Sequence, residues 1–222
     1  MTKISINPFK FWARAYEILA PQYGLMIFFG VAAYFISSSI PFGILMGPTF
    51  CGLTLVVMKR KDGESISIAD FFNGFEYFTK TITFGLVTAL LVMISLIVMA
   101  FLLIWPVLRS NPENTVMVFP IMFLAFAVSH QFLLFGLMLC VIHIKHQTDL
   151  STSIDLAIAM FEDHLAVLLG LFVVNTVVGM LCFMMLIIPF FLILPILVGS
   201  LVLAFDQILD EMPIEWLEEP AL

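Results

Sequence analysis

One histidine lies deep in an apolar run that is long enough to cross a bilayer. His130 precedes Gln131 near the middle of residues 116–142. Ionisable side chains are costly in a membrane and often act there as proton relays or ligand contacts. A neutral imidazole can also be satisfied by a single interhelical hydrogen bond. Asn175 and Ser95, in two other apolar runs, are its candidate partners, and these four residues are the intramembrane polar candidates.

Other patterns for catalysis or metal binding are weak. His143 and His146 have the i, i+3 spacing that can chelate a metal, with Asp149 as the nearest further ligand, but such a pair is more often a polar helix end. The sequence contains no Walker A loop, no H-E-x-x-H, no G-x-S-x-G and no pair of carboxylates within an apolar run. We therefore predict a protein that is not an enzyme and that needs no cofactor and no metal.

The composition is that of an integral membrane protein. Of 222 residues, 62% are hydrophobic and 11% are charged, whereas soluble domains are about half apolar and about a quarter charged. The three cysteines, Cys51, Cys140 and Cys182, all lie inside apolar runs. Disulfide frameworks and zinc sites need clustered ligands, so we interpret these cysteines as free core thiols.

The net charge of −7 is concentrated at the C-terminus. Six acids fall in the last seventeen residues, namely Asp206, Asp210, Glu211, Glu215, Glu218 and Glu219. The rest of the chain carries nine bases against ten acids, so no basic stripe is available to hold nucleic acid. The acidic tail, residues 208–222, could dock on a basic protein partner, fold back onto its own bundle or stay solvated.

Two uncharged runs are too long for one crossing. Residues 24–58 number 35 and residues 165–205 number 41. A helix of 35 residues would be about 53 Å long, against a hydrocarbon core of about 30 Å. The segment 37–43 breaks the first run, and Pro189 and Pro195 break the second. We therefore predict six spans near 23–40, 42–58, 81–108, 116–142, 165–188 and 190–207.

These spans predict an all-α, polytopic transmembrane bundle with one transmembrane domain. Residues 23–207 would hold the spans, preceded by a cytoplasmic amphipathic helix in 1–22 and followed by the acidic cytoplasmic tail. An excess of bases on cytoplasmic segments sets the orientation. With both termini inside, Arg109 lies outside and eight bases lie inside. The eight are Lys3, Lys10, Arg14, Lys59, Arg60, Lys61, Lys80 and Lys145.

The N-terminal segment has the pattern of an amphipathic helix lying in the membrane interface. Asn7 can act as its N-cap, and Pro8 suits the first helical position. Apolar side chains then recur at helical spacing, at Phe9, Trp12, Tyr16 and Leu19. Bases on this segment and after the second span could hold anionic lipid headgroups or could simply fix the orientation. They are Lys10, Arg14, Lys59, Arg60 and Lys61.

Small residues in the second span predict close helix packing. Gly43 and Gly47 form a G-x-x-x-G pattern, and Gly52 lies further along. Such glycines let a neighbouring backbone approach, which supplies contact that lipid tails cannot. We therefore expect a second helix to pack closely on this face.

An ungapped offset of 85 residues indicates an internal repeat. It aligns Ser67 and Asp70 with Thr152 and Asp155, so both copies carry a candidate capping box. Each copy would be a span running inward, a basic exit, a capped cytoplasmic helix and a span running outward. True duplication and convergence on one hairpin architecture both remain open. The capped helix of the first copy carries an aromatic face, formed by Phe71, Phe72, Phe75 and Phe78.

One stretch of about thirty residues carries a more specific pattern. Its residues are Gly47-Pro48, Gly52-Leu53, Lys59 to Gly63, Ile68, Asp70, Phe72, Gly74 and Phe75. This pattern resembles the signature of a broad group of uncharacterised bacterial six-span inner-membrane proteins, with a G-P…G-L span end, a basic turn and a D-x-F-x-G-F helix. The group is similar to the membrane regions fused to some glycerophosphodiester phosphodiesterases. The resemblance implies a bacterial plasma-membrane location and a link to envelope or lipid homeostasis.

Two functional hypotheses follow. The first is a non-enzymatic accessory protein of the envelope that acts through membrane lipids or through a protein partner bound by the acidic tail. It is motivated by the aromatic faces and by the lack of charge within the spans. The second is a small transporter or channel with a polar path through His130, Gln131 and Asn175.

Overall fold

The described part of the chain consists of helices joined by short connections. The computed structural model describes residues 8–39, 44–105, 109, 115–185 and 187–212, so the predictions for Asn7 and Gly43 lie outside it. The helices are α1 (Pro8–Leu19), α2 (Tyr23–Ser39), α3 (Met46–Lys61), α4 (Ile68–Phe72), α5 (Phe78–Met99), α6 (Thr115–His146), α7 (Leu150–Met185) and α8 (Ile187–Glu211). Short 3-10 turns, Ala20–Gln22 and Asn73–Tyr77, precede α2 and α5, and a π-helical turn, Ala100–Ile104, extends α5.

Five helical stretches in the described part are long and apolar enough to cross a membrane. They are Phe9–Ser37, Ile68–Leu102, Ala127–His146, Leu150–Cys182 and Pro189–Glu211. The span predicted at 42–58 corresponds to α3, which has 16 residues. A helix of that length is about 24 Å long, shorter than a hydrocarbon core of about 30 Å. The all-α prediction is confirmed for the described residues, whereas six crossings remain a prediction.

Helices α2 and α3 form an antiparallel pair, with one contact between them near the turn and another from the end of α3 to the end of α1. Near the turn between them, the hydroxyl oxygens of Ser37 and Thr49 are 2.8 Å apart. At the far end of α3, the Arg60 guanidinium donates to the Ile18 carbonyl at 3.1 and 3.2 Å. The chain therefore returns, at the end of α3, to the end of the molecule where α2 began.

Helix α1 packs against α8. It covers Pro8–Leu19, and the residues before Pro8 lie outside the described part. Ala15 and Leu19 are fully buried, and a Cβ atom on Gly199 of α8 would lie 2.9 Å from the Leu19 side chain. Of the side chains predicted to share the apolar face, Phe9 and Tyr16 are exposed while Leu19 faces the bundle. An interfacial position for α1 is therefore not confirmed.

Capping residues define two helix starts, one of them at the predicted position. The Asp70 carboxylate accepts a hydrogen bond from the Ser67 backbone at 2.6 Å, and the predicted capping box is present. The box predicted at Thr152 is wrong, because α7 begins at Leu150 and the Asp149 carboxylate accepts from the Thr152 N–H at 3.0 Å. Hydrogen bonding from Thr152 also lowers the pKa of Asp149. The two halves of the proposed repeat are thus capped at positions that the alignment does not equate.

Helix α7 bends at His164, where φ is −125° and ψ is 25°. On a straight helix, Phe161 and Phe172 would be about 16 Å apart along the axis. Their rings instead meet edge to face with centroids 5.8 Å apart. The bend separates residues 150–163 from the apolar part of α7, which starts where the fifth span was predicted to start.

Helix α3 packs almost backbone to backbone on α4, on the turn that follows it and on α5. A Cβ atom at Gly52 would lie 2.3 Å from the Phe71 carbonyl oxygen, and one at Gly74 would lie 2.3 Å from the Gly52 nitrogen. A Cβ atom at Gly47 would lie 1.9 Å from the Thr81 carbonyl oxygen. Any larger side chain at these positions would therefore have to move a neighbouring backbone.

The last helix extends further than the sequence suggested. The tail was predicted to begin at residue 208, but α8 continues to Glu211. Ile208, Leu209 and Met212 are buried in the same apolar core as α1 and α6. Residues 213–222, which hold three of the six acids, lie outside the described part.

Candidate functional site

Polar side chains from α5, α6, α7 and α8 meet within the apolar part of the bundle. The hydroxyl oxygens of Ser95 and Ser129 are 3.0 Å apart. His130 and Gln131 follow Ser129 on α6. His130 Nδ1 lies 3.0 Å from Thr176 Oγ1, and Gln131 Nε2 donates to the same oxygen at 2.6 Å. We call this set the polar layer, and its members are Ser95, Ser129, His130, Gln131, Asn175, Thr176 and Ser200.

Asn175 belongs to the polar layer, but its contacts differ from the prediction. Its side chain donates to the Leu171 carbonyl at 2.9 Å and accepts from the Ser200 hydroxyl at 3.4 Å. The hydroxyl that meets His130 comes from the next residue, Thr176. Ser95, the other predicted partner, meets Ser129. The structure thus brings the four predicted candidates into one region, in which Thr176 meets His130 and Ser129 meets Ser95.

The polar layer extends sideways across the bundle. Its three members on α6 are consecutive, so they span about 3 Å along that helix, and its two members on α7 span about 1.5 Å. A hydrophilic path through a hydrocarbon core would need polar groups along about 30 Å. This arrangement is typical of interhelical hydrogen bonding that joins neighbouring helices.

A charged cluster joins the C-terminal ends of three helices. Asp206 of α8 accepts hydrogen bonds from Lys61 of α3 and, at 2.6 Å, from Lys145 of α6. Lys145 also reaches Asp210 at 2.7 Å. We call Lys61, Lys145, Asp206 and Asp210 the basic-end network. Hydrogen bonding to Asp206 raises the pKa of Lys61, so this lysine stays charged.

Three of the five predicted headgroup ligands make contacts within the protein. Lys59 pairs with Asp70 at 2.7 Å, and this hydrogen bond raises its pKa. Arg60 donates to backbone carbonyls, and Lys61 belongs to the basic-end network. The other two, Lys10 and Arg14, are exposed on α1 and form no ion pair with another described residue. Headgroup binding stays a prediction, and Lys10 and Arg14 are the bases best placed for it.

The histidine pair at the end of α6 does not form a metal site in the described part of the chain. The buried His143 ring donates from Nδ1 to the Thr148 carbonyl. The same ring meets the rings of Tyr77 and Phe84 in edge-to-face contacts. Across the described ranges, no group of three or more His, Cys, Asp or Glu side chains could hold a metal ion. These contacts support the interpretation of a polar helix end.

Sequence reasoning missed several members of these sites. Thr176 and Ser200 are small hydroxyl residues whose contacts depend on how α6, α7 and α8 pack. Asp206 was counted with the acidic tail, although it interrupts the apolar run L-V-L-A-F-D-Q-I-L inside the last predicted span. A carboxylate at that position could have indicated a basic partner.

The fold and these sites define an all-helical chain with several helices suited to crossing a membrane. No protein-family model, no curated protein and no solved structure matches it.

Proposed function

We propose that the chain is a multi-pass protein of the bacterial inner membrane with six spans and both termini in the cytoplasm. The antiparallel contacts of α2 and α3 support the sixth crossing, because a chain that leaves at Ile18 and returns at Arg60 crosses an even number of times between them. The shared contacts of Asp206 likewise support a common side for the ends of α3, α6 and α8. The positive-inside rule assigns that side to the cytoplasm.

We propose further that the protein acts without catalysis, as an accessory of envelope or lipid homeostasis through contacts with lipids or a protein partner. The observation that carries this proposal is the polar layer. Its side chains are hydrogen-bonded to one another or to backbone across a narrow slab, so they join neighbouring helices. A transporter that used His130, Gln131 and Asn175 in one path is the alternative.

Extended apolar faces also support a function based on contacts. On α7 the exposed side chains recur every four residues, at Leu165, Leu169, Val173, Val177 and Leu181. On α5 and its extension they include Leu90, Met93, Ile97 and Phe101. Such stripes suit lipid tails or the helices of another membrane protein.

A second surface is formed by residues 71–78, which carry Phe71, Phe72, Phe75 and Phe78. We call this stretch the aromatic segment. Phe71 is fully buried and stacks on Phe29 of α2 with ring centroids 5.2 Å apart. Its neighbour Phe72 is exposed. An aromatic side chain presented beside an anchored one suits the headgroup region of a bilayer, and we propose that this segment lies in the interface.

The test is purification of the full chain from native membranes in a gentle detergent, followed by mass spectrometry of bound lipids and proteins. We expect a reproducible lipid class or a stoichiometric protein. The His130→Ala variant should insert and retain the same set, whereas Phe72→Ala or deletion of 213–222 should deplete it. Substrate-dependent activity that is lost in His130→Ala, with unchanged insertion, would instead establish the transporter.

A further inference from the structure

One face of helix α1 packs on the bundle, and a second face is exposed. Phe11, Ala15 and Leu19 recur at helical spacing and belong to the buried apolar core. Lys10 and Arg14, on the second face, are exposed. These two bases are four residues apart, so their side chains are neighbours on the helix surface. We call the surface defined by Lys10 and Arg14 the basic face of α1.

The two bases of this face have no counter-charge among the described residues. The ion pairs in that part of the chain engage three other bases, namely Lys59, Lys61 and Lys145. Helix α1 contains one acid, Glu17, which is exposed and forms no ion pair with another described residue. The basic face is therefore positive, and its ammonium and guanidinium groups are available to an anionic ligand.

Helix α1 ends at the level of the charged end of α3. The Arg60 guanidinium donates to the Ile18 carbonyl at 3.1 and 3.2 Å, and Arg60 is the middle one of three consecutive bases. Such a run is too costly to place in hydrocarbon, so it marks the membrane boundary, on the cytoplasmic side in the proposed topology. Aromatic side chains are typical of that boundary, and α1 exposes Phe9 and Tyr16.

We propose that the basic face of α1 binds the headgroups of anionic phospholipids in the cytoplasmic leaflet of its own membrane. Phosphate oxygens accept charge-assisted hydrogen bonds from both kinds of base. A zwitterionic headgroup also brings a cation, which two neighbouring bases repel. This inference rests on the proposed function, because it names the lipid class for the lipid contacts proposed there.

The first experiment measures lipid binding to the purified full chain by native mass spectrometry in detergent. Phosphatidylglycerol and phosphatidylcholine are added in turn, and the affinity of the first bound lipid is compared. Wild type should prefer phosphatidylglycerol. The double variant Lys10→Gln, Arg14→Gln should lose about 25-fold in phosphatidylglycerol affinity, because each base near an anionic lipid surface accounts for about five-fold. Its affinity for phosphatidylcholine should not change.

Two further variants act as controls. Lys80→Gln removes another exposed base that forms no ion pair with a described residue, and it should leave the phosphatidylglycerol affinity unchanged. Glu17→Gln removes the acid of α1 and should raise that affinity. Equal losses in Lys80→Gln and in the double variant would refute a site on α1. A preference that appears only when residues 213–222 are deleted would show that the acidic tail occupies the basic face instead of lipid, and would also refute the proposal.

A second experiment uses the wild-type chain alone, so it does not depend on how the variants fold. The chain is reconstituted in phosphatidylcholine vesicles that contain phosphatidylglycerol with a photoreactive headgroup, and the crosslinked peptides are identified by mass spectrometry. We expect crosslinks in α1 that excess phosphatidylglycerol suppresses and excess phosphatidylcholine does not. Crosslinks confined to other helices would overturn the proposal.

This inference and the proposed function can fail separately. A chain without a preference at α1 could still retain a protein partner or another lipid class when it is purified from native membranes, which would refute the α1 site alone. A preference at α1, combined with no reproducible lipid or protein from native membranes, would instead refute the proposed accessory function.

Discussion

Asp206 is the carboxylate that the basic-end network shares. Its side chain is 9% exposed and contacts two lysines from different helices. Removing a buried carboxylate from such a pair leaves its lysine partners without a counter-charge. The free-energy cost of that uncompensated charge is larger than the net contribution of the intact pair to stability. We therefore expect this residue to matter more for stability than any exposed acid of the chain.

Asp206→Asn should destabilise the protein by about 3 kcal/mol, the lower end of the range for broken buried pairs, because both lysines keep some solvent contact. The measurement is unfolding by sodium dodecyl sulfate in mixed micelles. Glu162→Gln, at an exposed acid of α7, should leave the midpoint unchanged. Equal midpoints for the two variants would mean that the Asp206 charge does not hold the helix ends together.

Gly74 makes the tightest backbone contact of the aromatic segment. Gly74→Ala should destabilise the protein by about 1–3 kcal/mol, because the new Cβ would meet backbone atoms that cannot rotate away. The nearest of these are the Gly52 nitrogen at 2.3 Å and the Pro48 oxygen at 2.5 Å. Thermal unfolding in detergent measures the change.

Gly24→Ala is the matched control for Gly74→Ala. A Cβ atom at Gly24 has no neighbour within 4 Å, and the position is helical. The alanine should therefore be neutral or stabilise by up to about 1 kcal/mol. A similar loss of thermal stability in both variants would contradict the close packing of α3 on the aromatic segment.

At the scale of helices, hydrogen bonds to the hydroxyl group of Thr176 link α6 to α7. Thr176 of α7 meets both His130 and Gln131 of α6. Interhelical hydrogen bonds in membranes contribute from about 0.6 to about 2 kcal/mol. The contact is therefore a modest link, and its loss should loosen this pair of helices without unfolding the bundle.

Thr176→Val should lower stability by about 1 kcal/mol, because it keeps the shape and removes the hydroxyl. Thr176→Ser should restore most of that loss. Unfolding midpoints in mixed micelles distinguish the two. If valine and serine variants behave alike, the hydroxyl contributes little and His130 and Gln131 are satisfied by other groups.

Some helix starts could be predicted from local sequence patterns, whereas side-chain partners could not. The capping box at Ser67 is a local pattern, and the structure has it as predicted. The box at Thr152 failed because the neighbouring Asp149 is a competing cap, three residues earlier. Partners such as Thr176 for His130, or the Gly47 carbonyl for Cys140, depend on tertiary packing of helices that apolar composition alone does not orient.

For the whole molecule, hydropathy was enough to predict an all-helical chain and most of the helices that are long and apolar enough to cross a membrane. Hydropathy did not determine whether α3 crosses the membrane, because the predicted break at 37–43 left a helix shorter than the thickness of a bilayer. The orientation rests on basic residues, whose contacts in the structure place Lys61 and Lys145 at one end.

Alkaline phosphatase fusions test the orientation, since the enzyme folds to an active form only outside the cytoplasm. A fusion at Gly63, between α3 and α4, should be inactive, and a fusion at Asn111 should be active. The measurement is phosphatase activity normalised to the amount of each fusion. Activity at Gly63 would mean that α3 does not return the chain to the cytoplasmic side, and the six-span topology would be wrong.

The shared carboxylate has a consequence for biosynthesis. Lys61 and Lys145 leave the ribosome long before Asp206, which lies near the C-terminus of the chain. Until α8 is made, α3 and α6 end in lysines whose common counter-charge does not yet exist. Assembly of this end must therefore wait for the synthesis of α8. A chain that terminates before residue 206 would present two uncompensated ammonium groups, a feature by which membrane proteases could distinguish incomplete from finished molecules.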